Sequence, residues 1–131
     1  MTQMTLVDFL ELTASDAPAP GGGSVAALAA GLGAALGRMV LCLSYGKKSY
    51  EALPDETRKN LEAAEKDLIE LRNRFLGLID KDTEAFMGYM KALKMPKATD
   101  DEKAARSAAL AAAALASTRA PLETVESCVE C

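Results

Sequence analysis

A single apolar seam runs along the middle of the chain, between Pro54 and Pro96. Its residues are spaced by three or four positions, which is the spacing of one face of an α-helix. Because proline tends to begin or end helices, the seam predicts one amphipathic helix from about Asp55 to Leu93. The seam consists of Leu61, Ala64, Leu68, Leu71, Phe75, Ile79, Asp82, Phe86, Met90 and Leu93.

The rest of the chain also carries helical signals. A short helix is predicted from about Thr5 to Thr13, and a second from Ser24, as its N-cap, to about Tyr45, closed by Gly46. The segment Thr99 to Glu102 is a capping box that opens a further helix, which Pro121 kinks or restarts. No segment alternates apolar and polar residues over a useful length, so no sheet is predicted.

Composition limits both the architecture and the chemistry. The chain has 131 residues, half of them apolar, which fits one all-α domain over residues 1–131, an antiparallel bundle of long helices. The net charge of −4 argues against nucleic acid or an anionic membrane as the main partner. The chain has no histidine, which excludes histidine-dependent catalysis and leaves acid–base work to Asp, Glu, Lys, Tyr, Cys or water.

The second predicted helix is long and apolar enough to resemble a membrane span, and Gly33 and Gly37 have the spacing of a helix-dimerisation motif. Alanine and glycine dominate it, however, and Arg38 lies inside it. We therefore expect this helix to be buried inside the protein and not to span a membrane.

An odd cysteine count and no signal peptide favour the cytoplasm. Cys128 and Cys131 form half of a metal motif without a second half, so no metal site is predicted.

A glycine-rich segment, Pro18 to Ser24, precedes the second helix. Glycines leave backbone amides accessible, and amides at a helix N-terminus favour an anion. The segment lacks the Gly-Lys-Ser/Thr of a Walker A loop and the preceding strand of a dinucleotide fold. It is therefore interpreted either as a ligand-binding loop, with Gly21, Gly22, Gly23 and Ser24 as its candidate residues, or as a plain connection between two helices.

Asp82 stands where the apolar seam expects a core residue, between Ile79 and Phe86. Partial desolvation would favour a proton on such a carboxylate and suit a general base. The alternative is that Asp82 reaches water at the margin of the seam.

Lys47 and Lys48 close the second helix, where they complement its C-terminus by charge. They lie at the opposite end of that helix from the glycines, so one shared site would need a subunit interface or a bent path.

Five spaced motifs follow one another along the chain. They are Pro18-Ala-Pro-Gly-Gly-Gly-Ser-Val-Ala-Ala-Leu28, Gly46-Lys47-Lys48-x-Tyr50, Asp80-Lys-Asp82-Thr-Glu-Ala-Phe86, Lys94-Met-Pro96-Lys97 and Ala120-Pro121-Leu122-Glu123. Together they resemble the cyclodeaminase/cyclohydrolase family of folate metabolism. The resemblance covers essentially the whole chain, which looks like the N-terminal two-thirds of a family domain. It implies an all-helical homodimer that uses no cofactor beyond its tetrahydrofolate substrate.

The family resemblance implies one of two reactions, and no residue decides between them. In one, 5-formiminotetrahydrofolate closes to the 5,10-methenyl form and releases ammonia; in the other, the methenyl form takes up water. Asp82 would act as the base or as the anion that stabilises the cation. The Gly21 to Ser24 amides would hold the pterin or an anionic group, and Lys47 and Lys48, from this or a partner subunit, the glutamate carboxylates. The rival interpretation is a non-catalytic folate-binding or homotypic interaction module, or an inactive fragment.

Overall fold

The structure, a computed structural model, describes residues 1–130. Five helices follow one another along the chain, and no strand occurs within that range. They are α1 (Leu6–Thr13), α2 (Gly22–Ser44), α3 (Lys48–Glu51), α4 (Asp55–Leu93) and α5 (Asp100–Val129). Both α2 and α5 run antiparallel to α4 and pack along it. The predicted all-α bundle is thus confirmed.

The two longest helices begin where local chemistry predicts. Pro54 is the N-cap of α4, and two acidic residues follow in the first turn, where the helix dipole favours negative charge. At the start of α5 the Thr99 hydroxyl accepts a hydrogen bond from the Glu102 amide at 3.2 Å. The Glu102 carboxylate accepts one in return from the Thr99 amide at 3.0 Å. The capping box is therefore complete, and α5 continues through Pro121 without restarting.

Two predicted details at the ends of α2 are wrong. The helix begins at Gly22 with Gly21 as its N-cap, and Ser24 is instead its third residue. The reason is that Ser24 bonds to α4 rather than to its own helix. At the other end, Gly46 takes the left-handed φ of 72° and ends the turn. Lys47 and Lys48 therefore do not close α2 but begin α3, which at four residues is too short for a periodic pattern to reveal.

The core lies between α2 and α4. Small residues of α2, namely Ala27, Gly31 and Ala34, are buried against α4, where Phe75 is fully buried. A β-carbon on Gly31 would lie 3.5 Å from that of Phe75, in ordinary van der Waals contact. Phe9 of α1 completes this cluster from the N-terminal side. The small side chains allow the two helix backbones to approach closely around one aromatic ring.

The outward side of α2 remains apolar and exposed. Within the part of the chain that the structure describes, α2 is the one helix long and apolar enough to cross a membrane, yet only 17% of its most apolar window is buried. Its other side lies along α4, where Arg38 pairs with Glu65 at 3.1 Å. The prediction of a buried helix therefore holds only for the side of α2 that faces α4. The exposed residues are Val25, Leu32, Leu36, Met39, Val40 and Leu43.

Candidate functional site

A carboxylate of α4 holds the first turn of α2. The Ser24 amide donates to Asp82 Oδ2 at 2.8 Å, and the Ser24 hydroxyl donates to the same oxygen at 2.7 Å. The hydroxyl also lies 3.2 Å from the Thr83 hydroxyl. Ser24 itself is fully buried. Asp82 therefore supplies α2 with the N-terminal acceptor and the negative charge that no side chain of α2 provides.

Gly23 permits this contact. A β-carbon at Gly23 would lie 2.1 Å from Asp82 Oδ1, far inside van der Waals distance. Gly21 and Gly22 have no such neighbour within 4 Å and border open space. The three glycines therefore differ in role, because one makes room for the carboxylate and two leave the turn accessible. The two hydrogen bonds from Ser24 hold the carboxylate against the first turn of α2.

A cavity of about 240 Å³ opens at this contact. It brings Asp82 together with the three predicted glycines, while Ser24 lies beneath with its amide and hydroxyl already bonded to Asp82. The amides of Gly22 and Gly23, in the first helical turn, have no acceptor within their own helix. The cavity thus combines acceptor and donor groups. Its lining is Pro18, Gly21, Gly22, Gly23, Asp82, Phe86, Ser117 and Pro121.

Outside the glycine-rich segment, three lining residues had no site role in the sequence analysis. Phe86 follows Asp82 by one helical turn, so the helical period alone could have placed it on the same face. Ser117 and Pro121 have the same spacing on α5, but Ser117 stands in an alanine-rich run that gives no signal. Only the packing of α5 against α4 brings them to the cavity. The Ser117 hydroxyl donates to the Ala85 carbonyl at 3.2 Å and fixes that packing.

Lys47 and Lys48 do not reach this cavity within one chain. The 23 residues of α2 separate them from the glycine turn, a span of about 35 Å at 1.5 Å per residue. Both lysines are exposed. Because α2 is one continuous helix between the glycines and the lysines, a single shared site would need a subunit interface.

A second polar cluster lies near those lysines and joins α2 to α4. Glu65 accepts hydrogen bonds from the Tyr45 hydroxyl at 2.7 Å and from Arg38 Nε at 3.1 Å. These bonds, that of Tyr45 foremost, lower the pKa of Glu65. The same bond raises the pKa of Tyr45 to about 12. The Tyr45 ring also meets that of Tyr50 edge-on, at 5.1 Å between centroids.

Asp80 points away from the cavity. It accepts hydrogen bonds from the N-terminal ammonium of Met1 at 2.6 Å and from the Thr2 hydroxyl at 2.7 Å. The hydrogen bond from the N-terminal ammonium is the main cause that lowers the pKa of Asp80.

Among residues 1–130, no three Cys, Asp or Glu side chains lie close enough together to hold a metal ion. Cys128 is exposed, and Cys131 lies outside the described residues.

The helical bundle of this chain has a counterpart among solved structures. The structure matches that of formiminotetrahydrofolate cyclodeaminase from Thermotoga maritima with a TM-score of 0.74 and 26% identity, over 95% of this chain and 56% of that one. The sequence model of the formiminotransferase-cyclodeaminase family matches residues 5–131. The chain therefore belongs to the formiminotransferase-cyclodeaminase family, as its motifs predict.

Curated relatives of two kinds are similar to this chain. Methenyltetrahydrofolate cyclohydrolase of Methylorubrum extorquens is 42% identical over 126 residues, which is 96% of this chain and 59% of the relative. Formimidoyltransferase-cyclodeaminase of Gallus gallus is 42% identical over 102 residues, 78% of this chain and 18% of the relative. The chain thus spans less than two-thirds of the length of each of these relatives.

Proposed function

We propose that this chain acts in folate one-carbon metabolism as a methenyltetrahydrofolate cyclohydrolase. The observation that carries the proposal is the placement of Asp82 beside Gly21, Gly22 and Gly23 in one cavity. The 42% identity to a cyclohydrolase over nearly the whole chain supports the same substrate class.

The chemistry asks little of the protein. In 5,10-methenyltetrahydrofolate one carbon lies between two nitrogens that share a positive charge. A water oxygen bonds to that carbon and loses a proton, which gives a neutral hydroxyl adduct. One carbon–nitrogen bond then breaks, the departing nitrogen takes up a proton, and the hydroxyl loses its own proton as the carbon becomes a formyl group. One proton is released overall. Asp82 Oδ2 is bonded to Ser24, so Oδ1 is the oxygen left to stabilise the cation and accept the water proton. The free amides of Gly22 and Gly23 would bind an oxygen of the substrate.

The test follows the loss of 5,10-methenyltetrahydrofolate absorbance against the spontaneous rate. Asp82→Asn should lower kcat at least about a hundredfold, because it removes the anion and the proton acceptor, while the helical circular dichroism is retained. Asp80→Asn is the matched control, since Asp80 lies on the same helix and bonds the N-terminus instead. Full turnover in Asp82→Asn would contradict the role of Asp82, and no wild-type turnover would contradict the cyclohydrolase.

Cyclodeaminase activity is the second candidate, favoured by the structural match to a formiminotetrahydrofolate cyclodeaminase. In that reaction N10, the amine nitrogen outside the pterin ring, attacks the formimino carbon held on N5. N10 gives up its proton, the bond from that carbon to the formimino nitrogen breaks, and ammonia leaves. An anionic Asp82 would stabilise the same cationic product. Release of ammonia from 5-formiminotetrahydrofolate, measured beside the first assay, separates the two activities.

The proposed assembly is a homodimer that packs the exposed apolar side of α2 against its copy. In an antiparallel pairing, the C-terminal end of one α2 lies beside the N-terminal end of the other. Lys47 and Lys48 of a second copy would then stand near the cavity and attract the glutamate carboxylates of the substrate. This arrangement would resolve the separation of about 35 Å within one chain.

Complementation tests this shared site. Asp82→Asn and a Lys47→Ala/Lys48→Ala double variant should each have low activity alone, under subsaturating substrate. Co-expressed, they form mixed dimers with one intact site, which restores roughly a quarter of wild-type activity by symmetry. No recovery, with mixed dimers demonstrated, would contradict the shared site.

A non-catalytic module is the rival function. Tight binding of a tetrahydrofolate without turnover would identify a folate-binding module. Absence of both binding and turnover would identify a homotypic interaction module or an inactive fragment, and the exposed apolar side of α2 would then be its main functional surface.

A further inference from the structure

Pro121 lies inside α5, seven residues or more from either end of the helix. Proline has no amide hydrogen, so the carbonyl four residues earlier loses its helical donor. That carbonyl belongs to Ser117. Among residues 1–130, no side chain donates a hydrogen bond to it, and the Ser117 hydroxyl is directed to the Ala85 carbonyl. The Ser117 carbonyl therefore lacks the amide donor that such a carbonyl has in the middle of a regular helix.

The position of this carbonyl carries the inference. Ser117 and Pro121 both line the cavity that contains Asp82 and Phe86. Both residues of this interrupted hydrogen bond therefore lie on the α5 wall of the cavity that Asp82 also lines. Phe86, which is 38% exposed, lines the same cavity. Two acceptors and an aromatic surface suit a flat ring that bears N–H groups.

We propose that the Ser117 carbonyl, freed by Pro121, accepts a hydrogen bond from the bound substrate and positions its ring beside Asp82. The inference rests on the proposed function, since the pterin ring of a tetrahydrofolate carries an amino group and ring N–H donors. Pro121 is a positioning residue, because it acts only through the carbonyl that it leaves unpaired. The helix accepts an unfavourable residue at the place where its backbone binds the ligand.

A purely structural role for Pro121 makes the opposite prediction. If proline only bends α5, then Pro121→Ala removes an unfavourable residue from a helix and leaves substrate affinity unchanged. If the carbonyl binds substrate, the same change restores an N–H that occupies the carbonyl. The variant should then melt at a higher temperature than wild type and yet bind substrate less tightly.

The first experiment compares Pro121→Ala with Thr118→Ala. Thr118 is an exposed neighbour in α5 that does not line the cavity, and its replacement by alanine also favours the helix. Pro121→Ala should raise KM for 5,10-methenyltetrahydrofolate about tenfold, the effect of one lost hydrogen bond, with a smaller change in kcat. Thr118→Ala should keep wild-type KM. An unchanged KM in active Pro121→Ala overturns the inference and leaves the proposed function intact, whereas a wild type that neither binds nor converts a folate overturns both.

The second experiment observes the carbonyl directly and does not depend on any variant. Ser117-Thr118 is the one Ser-Thr pair in the chain. Labelling serine with carbonyl-¹³C and threonine with ¹⁵N therefore gives a single carbonyl–amide cross-peak that belongs to Ser117. Its ¹³C shift should move downfield when 5,10-methenyltetrahydrofolate is added. Turnover without a shift of this peak overturns the inference.

Discussion

At the scale of single residues, the contact between Gly23 and Asp82 decides the geometry of the candidate site. The carboxylate lies where any other residue at position 23 would place its β-carbon. Ser24, the next residue, then supplies two donors to the same side chain. The three residues form one unit, in which the glycine admits the charge and the serine holds it.

Gly23→Ala should destabilise the fold by about 2 kcal/mol, because the new methyl overlaps Asp82 and displaces the carboxylate. Gly22→Ala is the matched control, since a β-carbon there meets nothing within 4 Å. That substitution should stabilise by about 0.5 kcal/mol, as glycine to alanine does in a helix. Urea unfolding of both variants measures the difference. Equal stabilities would contradict the contact.

The hydrogen bond from Tyr45 to Glu65 leads to an alkaline prediction. The folded pKa of Tyr45, about 12, lies above the ordinary value of 10.0. The bond therefore contributes stability below pH 10, and that contribution is lost as the pH rises from 10 towards 12. Absorbance of tyrosinate against pH should show this late titration, which Tyr45→Phe removes and Glu65→Gln moves to lower pH. A Tyr45 titration at pH 10 in wild type would contradict the bond.

Sequence alone predicts part of the site and misses part of it, for physical reasons. Asp82 is predictable because a charge interrupts an apolar helical seam, and the glycines because they cluster before a helix. The role of Ser24 is not predictable from the sequence, since its hydrogen-bond partner Asp82 lies 58 residues away. The place of Ser117 in the site is not predictable either, because a serine among alanines gives no local signal. Only the packing of α5 against α4 brings it to the cavity.

At the scale of elements, some helix boundaries are predictable from the local sequence and others are not. The bounds of α4 and the start of α5 follow from Pro54 and from the Thr99 capping box. The start of α2 at Gly22 does not, because an acceptor from α4 replaces the local cap. Local chemistry thus predicts the ends that a helix caps by itself, and it fails where another helix supplies the cap.

Phe75→Ala tests how closely α2 and α4 pack. Phe75 is fully buried and faces alanines and a glycine of α2, which cannot expand to fill the space of a lost ring. The variant should therefore lose about 4 kcal/mol of stability. Leu76→Ala, at a neighbouring position that is 41% exposed, should lose only about 1 kcal/mol. Urea unfolding gives both values, and equal losses would contradict the assigned core.

At the scale of the whole molecule, the main feature is the apolar outer side of α2. Six large apolar side chains are exposed there, on a helix whose inner side is occupied by α4. Such a surface is unusual on a protein that stays a monomer in water. The proposed homodimer would cover it.

Leu36→Glu should disrupt the dimer, because it would bury an unpaired charge in the interface. We expect the dissociation constant to rise at least about a hundredfold. Leu115→Glu is the control, since Leu115 is equally exposed but lies on α5. Sedimentation equilibrium measures both variants. A wild type that is monomeric at micromolar concentration would contradict the dimer.

The pair of hydrogen bonds from Ser24 to Asp82 also has a consequence for the order of folding. The helical hairpin of α4 and α5 joins segments that are close along the chain, so it can form early. The first turn of α2 gains its cap only from a residue 58 positions later. During synthesis the glycine turn therefore emerges without its cap, which becomes available only when the C-terminal third of α4 has been made. Pulse-labelling hydrogen exchange should show the Ser24 amide protected after those of α4, so that the candidate site is among the last parts of the chain to become ordered.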